Sequence, residues 1–197
     1  MDHAGYEKLS AQQCRDLPEE CTHAAHCIIY AHNDDKLWGK FPLRAAVMMQ
    51  VRFDGLLGFP GGLVDKGESW EQGLNRELQE EIALDLERFR VEEADHVGGY
   101  LRRKPRLRCY HCYVKQVSLQ EFLSIETAAY GAPDYGSEVL GVMRVPLHTL
   151  EDGKGGLPAF LQNRFVGAAR DQLLFALQTT GIMSGDDITS ALCWDSS

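Results

Sequence analysis

The sequence has no apolar run close to the roughly 20 residues that a membrane-spanning helix requires. Its first 22 residues carry Glu7, Asp16, Glu19 and Glu20 without an apolar stretch, so we expect neither a secretory signal nor an association with membranes. Basic residues are also few, because 20 Lys and Arg face 29 Asp and Glu and the formal net charge is −9. This balance argues against a protein that coats DNA through its overall charge.

Cysteines are sparse as well, since six in 197 residues do not make a small disulfide framework. We therefore expect a reducing compartment, the cytosol or the nucleus. The chain also lacks repeats, low-complexity tracts and linkers, and its 44% of hydrophobic residues can fill a single core. These features predict a flexible segment over residues 1–22, followed by a single domain over residues 23–197.

Short apolar and alternating segments predict six strands, at residues 24–31, 44–53, 56–60, 89–97, 107–117 and 137–147. The polar residues 32–35 read as a turn after the first strand, and Asp54-Gly55 signals a hairpin after the second. Helices are predicted from Ser69 onward and over residues 119–130, 168–180 and 187–193. This order is typical of one α/β domain with a mixed sheet.

The helix that begins at Ser69 has the clearest pattern. The run Ser69-Trp70-Glu71-Gln72 has the form of a capping box, in which Ser69 and Gln72 satisfy two free backbone donors. Apolar residues then recur at every fourth position and predict the buried stripe of the helix: Trp70, Leu74, Leu78 and Ile82.

Three glutamates crowd the border of this stripe. At about 100° per residue, Glu77 and Glu81 flank it on one side, and Glu80 lies further round. Hard divalent cations such as Mg²⁺ or Mn²⁺ prefer oxygen ligands, so the three carboxylates predict a site for such ions. The alternative is a solvated helix face in which Arg76 and Glu80 form a surface ion pair that stabilises by a few tenths of a kcal/mol.

Counted from Gly62, the chain reads G-x5-E-x7-R-E-L-x-E-E-x-A-L. This spacing resembles the Nudix box, the signature of enzymes that hydrolyse a nucleoside diphosphate linked to another group. One position departs from the box, because Ala83 stands where a glycine is usual, and we expect the helix to run on slightly there. The resemblance implies a Nudix fold, in which a mixed β-sheet is sandwiched between α-helices.

The resemblance also implies roles for the residues of the box. Glu68 and Arg76 pair with each other and fix the loop before the helix. The implied metal ligands are the backbone carbonyl of Gly61 and the side chains of Glu77, Glu80 and Glu81. The implied catalytic residues of the box are Arg76 and the same three glutamates.

Further segments, at residues 23–31, 42–65, 138–150 and 155–177, look like one Nudix subfamily. It contains the vertebrate small-nucleolar-RNA-decapping enzymes, which also hydrolyse inosine diphosphates, and homologues that have lost catalysis. Because the box glutamates are intact, this chain sides with the catalytic members. The resemblance implies a homodimer that is present in the nucleus, including nucleolus and nucleoplasm, and in the cytoplasm.

Four residues match substrate-binding positions of that subfamily: His26, Arg52, Phe59 and Gln172. Arg52 can meet phosphate or carbonyl oxygens, Phe59 can stack on a base, and Gln172 can contact a purine edge with its paired donor and acceptor. The alternatives are that Phe59 is a core residue and that Gln172 is a solvated helix residue.

Two positions depart from the subfamily. Tyr100 stands where a histidine near the metals is expected, with His96 four residues earlier, and Tyr135 replaces a second histidine. Hydrolysis rate or substrate choice is therefore expected to differ. Glu138 is the carboxylate outside the box that we predict as a general base, or else as a partner in a structural ion pair.

Two weaker patterns lie close together in the sequence. Cys109-Tyr110-His111-Cys112 is not expected to bind zinc, because Cys109 and Cys112 of one strand point to opposite faces and no second cysteine pair follows. A basic cluster precedes these residues. It binds RNA phosphates, acts as a nuclear localisation signal, or simply forms a solvated hairpin loop. Its members are Arg102, Arg103, Lys104, Arg106 and Arg108.

Two hypotheses of different class remain. The first is a Mg²⁺- or Mn²⁺-dependent Nudix pyrophosphohydrolase that acts on capped RNA, on inosine or deoxyinosine diphosphate, or on both. The second is a catalytically weak or inactive member of the same fold that binds RNA or protein. The intact carboxylates favour the first, because a binding module has no need of clustered like charges.

Overall fold

The computed structural model describes residues 5–193, so residues 1–4 of the predicted flexible segment and residues 194–197 of the predicted domain lie outside it. The strands are β1 (Tyr6–Leu9), β2 (Thr22–Leu37), β3 (Phe41–Arg52), β4 (Leu57–Gly58), β5 (Gly61–Leu63), β6 (His96–Arg102), β7 (Arg108–Gln116) and β8 (Val139–Arg144). The helices are α1 (Ala11–Arg15), α2 (Trp70–Ile82), α3 (Leu86–Phe89), α4 (Leu119–Ala128), α5 (Leu157–Phe160), α6 (Ala169–Thr179) and α7 (Gly185–Leu192). No helix in this part of the chain combines the length and the apolar character needed to cross a membrane.

The strands form one sheet in the order β1-β6-β7-β2-β3-β4, with β5 added against β2 and β8 against β3. The central pair, β2 and β7, runs parallel, whereas β3 runs antiparallel to β2. The sheet is therefore mixed, as the sequence predicts.

Side chains of the central strands alternate between two cores. On β2, Ile28 and Tyr30 belong to a first core that α5, α6 and α7 complete, whereas Cys27 and Ile29 belong to a second core that α2 and α4 complete. Both faces of the sheet are thus covered by helices. This arrangement confirms the predicted α/β architecture.

The N-terminal segment differs from the prediction of a flexible stretch. Tyr6–Leu9 pairs antiparallel with β6, and Ser10 caps α1 through a capping box with Gln13. Leu9 and Cys14 are buried with Leu101 and Cys109 in a third apolar cluster. The described part of this segment, residues 5–22, thus contains regular structure, because Leu9 and Cys14 pack onto the sheet.

The first predicted turn is also misplaced, since β2 continues through residues 32–35. These polar residues stay in the strand because they still pair with β3, with a bulge between Asn33 and Lys36. The chain reverses instead after Leu37, where Trp38 and Gly39 adopt left-handed backbone conformations.

The strand predicted at residues 89–97 is wrong. Phe89 ends the short helix α3, and the extended strand β6 begins only at His96. Between them, the buried side chain of Asn75 on α2 donates to the carbonyl of Val91 and accepts from its N–H, at 2.8 and 2.9 Å. A side chain thus satisfies the backbone groups that a neighbouring strand would otherwise pair. The pair Gly98-Gly99, predicted to follow a strand, lies inside β6.

Candidate active site

Helix α2 is held in place by its cap and by its apolar stripe. The backbone N–H of Gln72 donates to the hydroxyl of Ser69, and the Gln72 side chain accepts from the Ser69 N–H, which confirms the capping box. Leu74, Leu78 and Ile82 are completely buried in the second core. This packing sets the rotation of the helix and leaves its carboxylates at the border of the core.

The end of α2 corrects the expectation that Ala83 extends the helix. The helix ends at Ile82, and Ala83 adopts a left-handed conformation with φ 51° and ψ 39°. Its N–H still donates to Gln79, and the Leu84 N–H reaches back to Leu78. Alanine thus takes the backbone conformation for which this position usually has glycine.

Arg76 joins the loop before α2 to the carboxylates on the helix. Its guanidinium donates to both carboxylate oxygens of Glu68, at 3.0 and 3.1 Å, and to the carbonyl of Leu63 at 3.1 Å. It also donates to Glu77 at 2.8 Å and to Glu80 at 3.3 Å. The hydrogen bonds to Glu68 raise the pKa of Arg76 and lower that of Glu68. The solvated ion pair considered above is therefore one contact in a larger network.

Glu81 is the most buried carboxylate of the group, with 4% of its surface exposed. It accepts a hydrogen bond from the backbone N–H of Gly61 at 2.7 Å and from the side-chain amide of Gln50 at 3.0 Å. Burial nevertheless raises the pKa of Glu81 to about 7, and the two hydrogen bonds only partly oppose this. The two hydrogen bonds therefore compensate only part of the cost of burying the ionised carboxylate of Glu81.

Glu77 is more exposed than Glu81 and less exposed than Glu80. A Cβ atom on Gly62 would lie 2.5 Å from a carboxylate oxygen of Glu77, so any other residue here would displace that carboxylate. Burial raises the pKa of Glu77 against the effect of Arg76, and the charges of Glu80 and Glu138 raise it further. Glu138, which is exposed, therefore lies within electrostatic reach of the cluster, as the sequence predicts for an auxiliary carboxylate.

Glu77, Glu80 and Glu81 offer the donor chemistry that a hard divalent cation prefers, although their oxygens do not all lie within 4.8 Å of one another. The donors are all oxygens, and the raised pKa values of Glu77 and Glu81 reflect negative charge in a poorly solvated place. Arg76 neutralises only the outer side of the group. A cation bound between the carboxylates would lower the free energy of their ionised forms.

The predicted metal contact of Gly61 concerns its carbonyl, and that role stays a prediction. The structure defines the role of the Gly61 N–H, which orients Glu81. Gly61 has a φ of 128°, and a Cβ atom here would lie 2.2 Å from the carbonyl oxygen of Ala25. Only glycine fits at this position.

Arg52 lies between the carboxylates and the predicted substrate pocket. Its charge acts on Glu81, and it helps burial to lower the pKa of His26 to about 4. The imidazole of His26 is therefore neutral near pH 7, and its buried Nδ1 atom has no hydrogen-bond partner among the described residues. Asp54 accepts from Arg52 at 3.3 and 3.4 Å, so the guanidinium is only weakly tied.

The remaining two pocket residues, Phe59 and Gln172, lie on the side of the sheet that α6 covers. Phe59 is 2% exposed and belongs to the first core, as in the alternative that the sequence left open. Its stacking on a base stays a prediction. Gln172 on α6 is 3% exposed, so the solvated alternative is wrong. Its Nε2 atom is buried without a partner in the described part of the chain, as is expected of a group that awaits a ligand.

A cavity of about 310 Å³ adjoins the N-terminal end of α6. Residues of β4 and of the segment before α6 lie close together here, since the Leu57 N–H donates to the carbonyl of Arg164 and Leu57 accepts from the Val166 N–H. Its lining residues are Leu56, Leu161, Asn163, Arg164, Phe165, Gly167, Arg170 and Asp171.

The two tyrosines in place of expected histidines have structural contacts. Tyr100 is buried in β6, and its hydroxyl donates to the carbonyl of Asp171 at 3.1 Å. Tyr135 packs its ring against Tyr130, with a centroid distance of 5.3 Å. His96 lies at the start of β6, 3.2 Å from His111. Tyr100 therefore lies inside β6 and not in a loop.

The basic cluster occupies the hairpin between β6 and β7. Arg103 forms an ion pair with Glu7 at 2.8 Å, and Arg102 lies over the ring of Tyr110. Arg108 donates to Thr22. Part of this charge is thus compensated within the protein.

The side chains of Cys109 and Cys112 belong to different apolar clusters, which confirms that they lie on opposite faces of the strand.

Gln50 is the site residue that the sequence reasoning missed. It is completely buried beside Glu81, and its Oε1 atom has no partner among the described residues. The signal was available, because Gln50 is a polar residue between Met49 and Val51 in an otherwise apolar strand. The contact between Gln50 and Glu81 exists only because α2 packs over β3, and the sequence pattern does not show this packing.

The sequence matches, over residues 23–183, a family described as Nudt16-like, U8 snoRNA-decapping enzyme-like. The U8 snoRNA-decapping enzyme of Mus musculus is 49% identical over 175 residues, which cover 88% of this chain and 89% of that protein. The Tudor-interacting repair regulator protein of Mus musculus is 42% identical over 187 residues, which cover 94% of this chain and 87% of that protein.

Among solved structures, the crystal structure of a mutT/nudix family protein from Listeria innocua is similar, with a TM-score of 0.51 and 18% sequence identity. The match covers 85% of this chain and 99% of that chain. At this identity the likeness concerns the fold alone.

Proposed function

Because the chain belongs to the Nudt16-like family of Nudix hydrolases, we propose that it is a Mg²⁺- or Mn²⁺-dependent pyrophosphohydrolase that cleaves phosphoanhydride bonds of nucleotides. The proposed substrates are the cap of small nucleolar RNA or mRNA, (deoxy)inosine diphosphate, or both. The products would be decapped RNA or a nucleoside monophosphate.

One observation carries this proposal. Glu81 accepts from the Gly61 N–H, Glu77 lies against Gly62, and Glu77 and Glu80 share the guanidinium of Arg76; burial raises the pKa of Glu77 and Glu81. A protein without a cation here would keep a destabilising cluster of like charges. The donor chemistry and the network around Arg76 support a site that is completed by a divalent cation.

The residues of the chain have separate tasks in the proposed reaction. Glu77, Glu80 and Glu81 would hold the cation, which neutralises phosphate oxygens and makes a bound water more acidic. Arg76 keeps Glu77 and Glu80 in position, while the Gly61 N–H and Gln50 orient Glu81.

Two further residues would contact the reacting groups. Arg52, which has only a long pair of hydrogen bonds to Asp54, can turn its guanidinium towards a phosphate oxygen of the substrate. Glu138 is exposed and close to Glu77, so it can accept a proton from the attacking water.

The test is a substrate panel with Mg²⁺ and with Mn²⁺, comparing inosine, guanosine and adenosine diphosphates with capped RNA. We expect Glu77→Gln to abolish turnover while the fold survives. Glu87→Gln is the matched control, because Glu87 is exposed on α3 and outside the carboxylate group. Unchanged activity in Glu77→Gln would refute the assignment of the metal ligands.

Substrate choice is tested at Gln172. If its unpartnered amide contacts a purine edge, Gln172→Leu loses a buried hydrogen bond of about 1–3 kcal/mol, and kcat/KM for the preferred base falls by roughly 5- to 150-fold. Rates for the other bases would change less. Equal wild-type rates on all three diphosphates would contradict a role of Gln172 in purine recognition.

The second candidate is a binding protein of the same fold. It is favoured by the 42% identity to a relative named as a Tudor-interacting repair regulator protein. This candidate predicts no hydrolysis of any member of the panel, although the protein still binds the cation. The intact carboxylates favour the enzyme, since a non-catalytic protein gains nothing from a costly charged cluster.

We also propose that the enzyme is a homodimer and acts in the nucleus, including nucleolus and nucleoplasm, and in the cytoplasm. The support for both is the subfamily resemblance. All six cysteines are free, which agrees with a reducing compartment. Sedimentation of a monomer at micromolar concentration would contradict the dimer, and fluorescence microscopy of the tagged chain tests the localisation.

A further inference from the structure

A second group of metal-ligating side chains lies away from the carboxylates, beneath α1. Cys14 comes from α1, whereas Cys109 and His111 come from β7, and all three are at most 1% exposed. Their ligand atoms lie within 4.8 Å of one another. The sequence does not predict zinc here, because it contains no second cysteine pair near Cys109 and Cys112. The contact between Cys14 and Cys109, which are 95 positions apart in the chain, is formed only in the folded protein.

The distance between the two sulfurs matches a tetrahedral zinc site. With Zn–S bonds of about 2.3 Å, two thiolates at the tetrahedral angle are about 3.8 Å apart. The Sγ atoms of Cys14 and Cys109 are 3.8 Å apart. A disulfide needs an S–S distance of about 2.05 Å, so these sulfurs would have to approach each other by almost 2 Å to form one.

His96 lies next to these three side chains but outside their group. Its Nε2 atom is 3.2 Å from the Nδ1 atom of His111, yet it does not belong to the set of ligand atoms that lie within 4.8 Å of one another. Its Nδ1 atom is buried and has no hydrogen-bond partner among residues 5–193, so hydrogen bonds at that atom do not hold the ring in place. Two sulfurs and two imidazole nitrogens are a common ligand set for structural Zn²⁺, and His96 would have to move towards the sulfurs to complete it.

The surroundings also suit a buried ion. A zinc-bound histidine usually has its second ring nitrogen in a hydrogen bond, and His111 has His23 at 2.9 Å. Trp70 stacks on His111 with a centroid distance of 3.8 Å and excludes water from that side.

The sheet leaves room beside the sulfurs. A Cβ atom on Gly99 of β6 would lie 2.9 Å from the Cys14 sulfur and 3.0 Å from the Cys109 sulfur. Any other residue at this position would therefore fill the space against both sulfurs. The glycine keeps that space open.

We propose that Cys14, Cys109 and His111 bind one structural Zn²⁺ ion and that His96 moves to supply the fourth ligand. The ion joins α1 to the strands β6 and β7, so it fixes the N-terminal strand and helix on the sheet. It is separate from the cation of the Nudix carboxylates, because its ligands are sulfur and nitrogen and do not suit Mg²⁺.

Cobalt substitution tests this site in the full-length, reduced protein under anaerobic conditions. Co²⁺ bound by two thiolates produces a sulfur-to-cobalt charge-transfer band and the visible bands of a tetrahedral ion, whereas Co²⁺ on the Nudix carboxylates produces no sulfur band. We expect one such Co²⁺ per chain, displaced by Zn²⁺ and retained in excess Mg²⁺. The band is lost in Cys14→Ser and Cys109→Ser and kept in Cys193→Ser, because Cys193 is exposed at the end of α7.

Absence of the band in the wild-type protein, or its persistence in both serine variants, overturns the proposal. A second measurement needs no variant, in case those chains do not fold. Alkylation rates of the individual cysteines are mapped by mass spectrometry with and without Zn²⁺, in excess Mg²⁺ throughout. At free Zn²⁺ about 100-fold above its Kd, we expect roughly 100-fold slower alkylation of Cys14 and Cys109, and no change at Cys193. Equal rates for Cys14 with and without Zn²⁺ would show that the two thiols are simply packed core residues.

Discussion

The buried carboxylate of Glu81 should destabilise the metal-free protein at neutral and alkaline pH. In the unfolded chain its pKa is near the ordinary 4.5, whereas burial raises the folded pKa to about 7. A raised folded pKa means that the folded protein binds more protons than the unfolded chain between these values. The resulting stability is fully present below pH 4.5 and is lost as the pH rises through 7.

The magnitude follows from the two pKa values. At 1.36 kcal/mol per pH unit, the interval from 4.5 to about 7 corresponds to about 3 kcal/mol. Solvent screening is small, because Glu81 is only 4% exposed. The ionised carboxylate therefore lowers the free energy of unfolding of the metal-free protein by about 3 kcal/mol at pH 8.

Glu81→Gln removes the charge and keeps the shape. The new amide oxygen still accepts from the Gly61 N–H, and its NH₂ group can donate to the Oε1 atom of Gln50, which has no partner in the described part of the chain. A flip of the Gln50 amide makes this contact possible. The variant should therefore keep both hydrogen bonds at little cost.

Urea unfolding in EDTA at pH 5 and at pH 8 measures the effect. We expect Glu81→Gln to equal the wild type within about 1 kcal/mol at pH 5 and to exceed it by about 3 kcal/mol at pH 8. Mg²⁺ at pH 8 should stabilise the wild type more than the variant, since the ion binds the folded carboxylates. The variant should also have lost its hydrolytic activity.

Glu80→Gln is the matched control, because its side chain is 44% exposed. It should change the free energy of unfolding by no more than about 0.5 kcal/mol at either pH. If Glu81→Gln were less stable than the wild type at pH 8, or if the difference were the same at both pH values, the account of a strained buried charge would be wrong.

Three further variants test the supporting geometry by urea unfolding. Gly61→Ala should destabilise the protein by more than about 3 kcal/mol, because its Cβ would overlap a backbone carbonyl. The control Gly141→Ala has no atom within 4 Å of its Cβ and should change the stability by about 1 kcal/mol or less. Similar losses in both variants would contradict the steric argument. Arg76→Lys cannot form the two-pronged contact with Glu68 and should lose about 1 kcal/mol together with most of the activity, and full activity would show that the clamp is dispensable. Ala83→Gly should stabilise by about 1 kcal/mol, since it relieves a left-handed alanine, and a loss of stability would contradict the assigned backbone conformation.

The catalytic helix could be predicted from local patterns. The cap at Ser69, the stripe at Leu74, Leu78 and Ile82, and the placement of Glu77 and Glu81 beside it all depend on the 3.6-residue period and on neighbours within a few positions. These features appear in the structure as predicted. The spacing of the glycine, arginine and glutamates was also sufficient to identify the family.

Other expectations failed where distant contacts decide the outcome. Ala83 takes a left-handed conformation because Leu84 must reach the second core, although alanine by itself favours continued helix. Residues 90–92 do not form a strand, because Asn75 on α2 binds the backbone of Val91. Tyr100 lies in a buried strand and not in a loop, and it hydrogen-bonds to α6.

The sequence by itself determined the family, the α/β fold and the helix that carries the three glutamates, because those depend on periodicity and on short-range chemistry. Tertiary packing alone decided how deep each carboxylate lies: Glu81 is buried against Gln50 and Gly61, and its pKa follows from that burial. Packing also placed Cys14 against Cys109. Electrostatic and metal-binding properties depend on distances across the fold, and such distances exist only after the strands and helices have assembled.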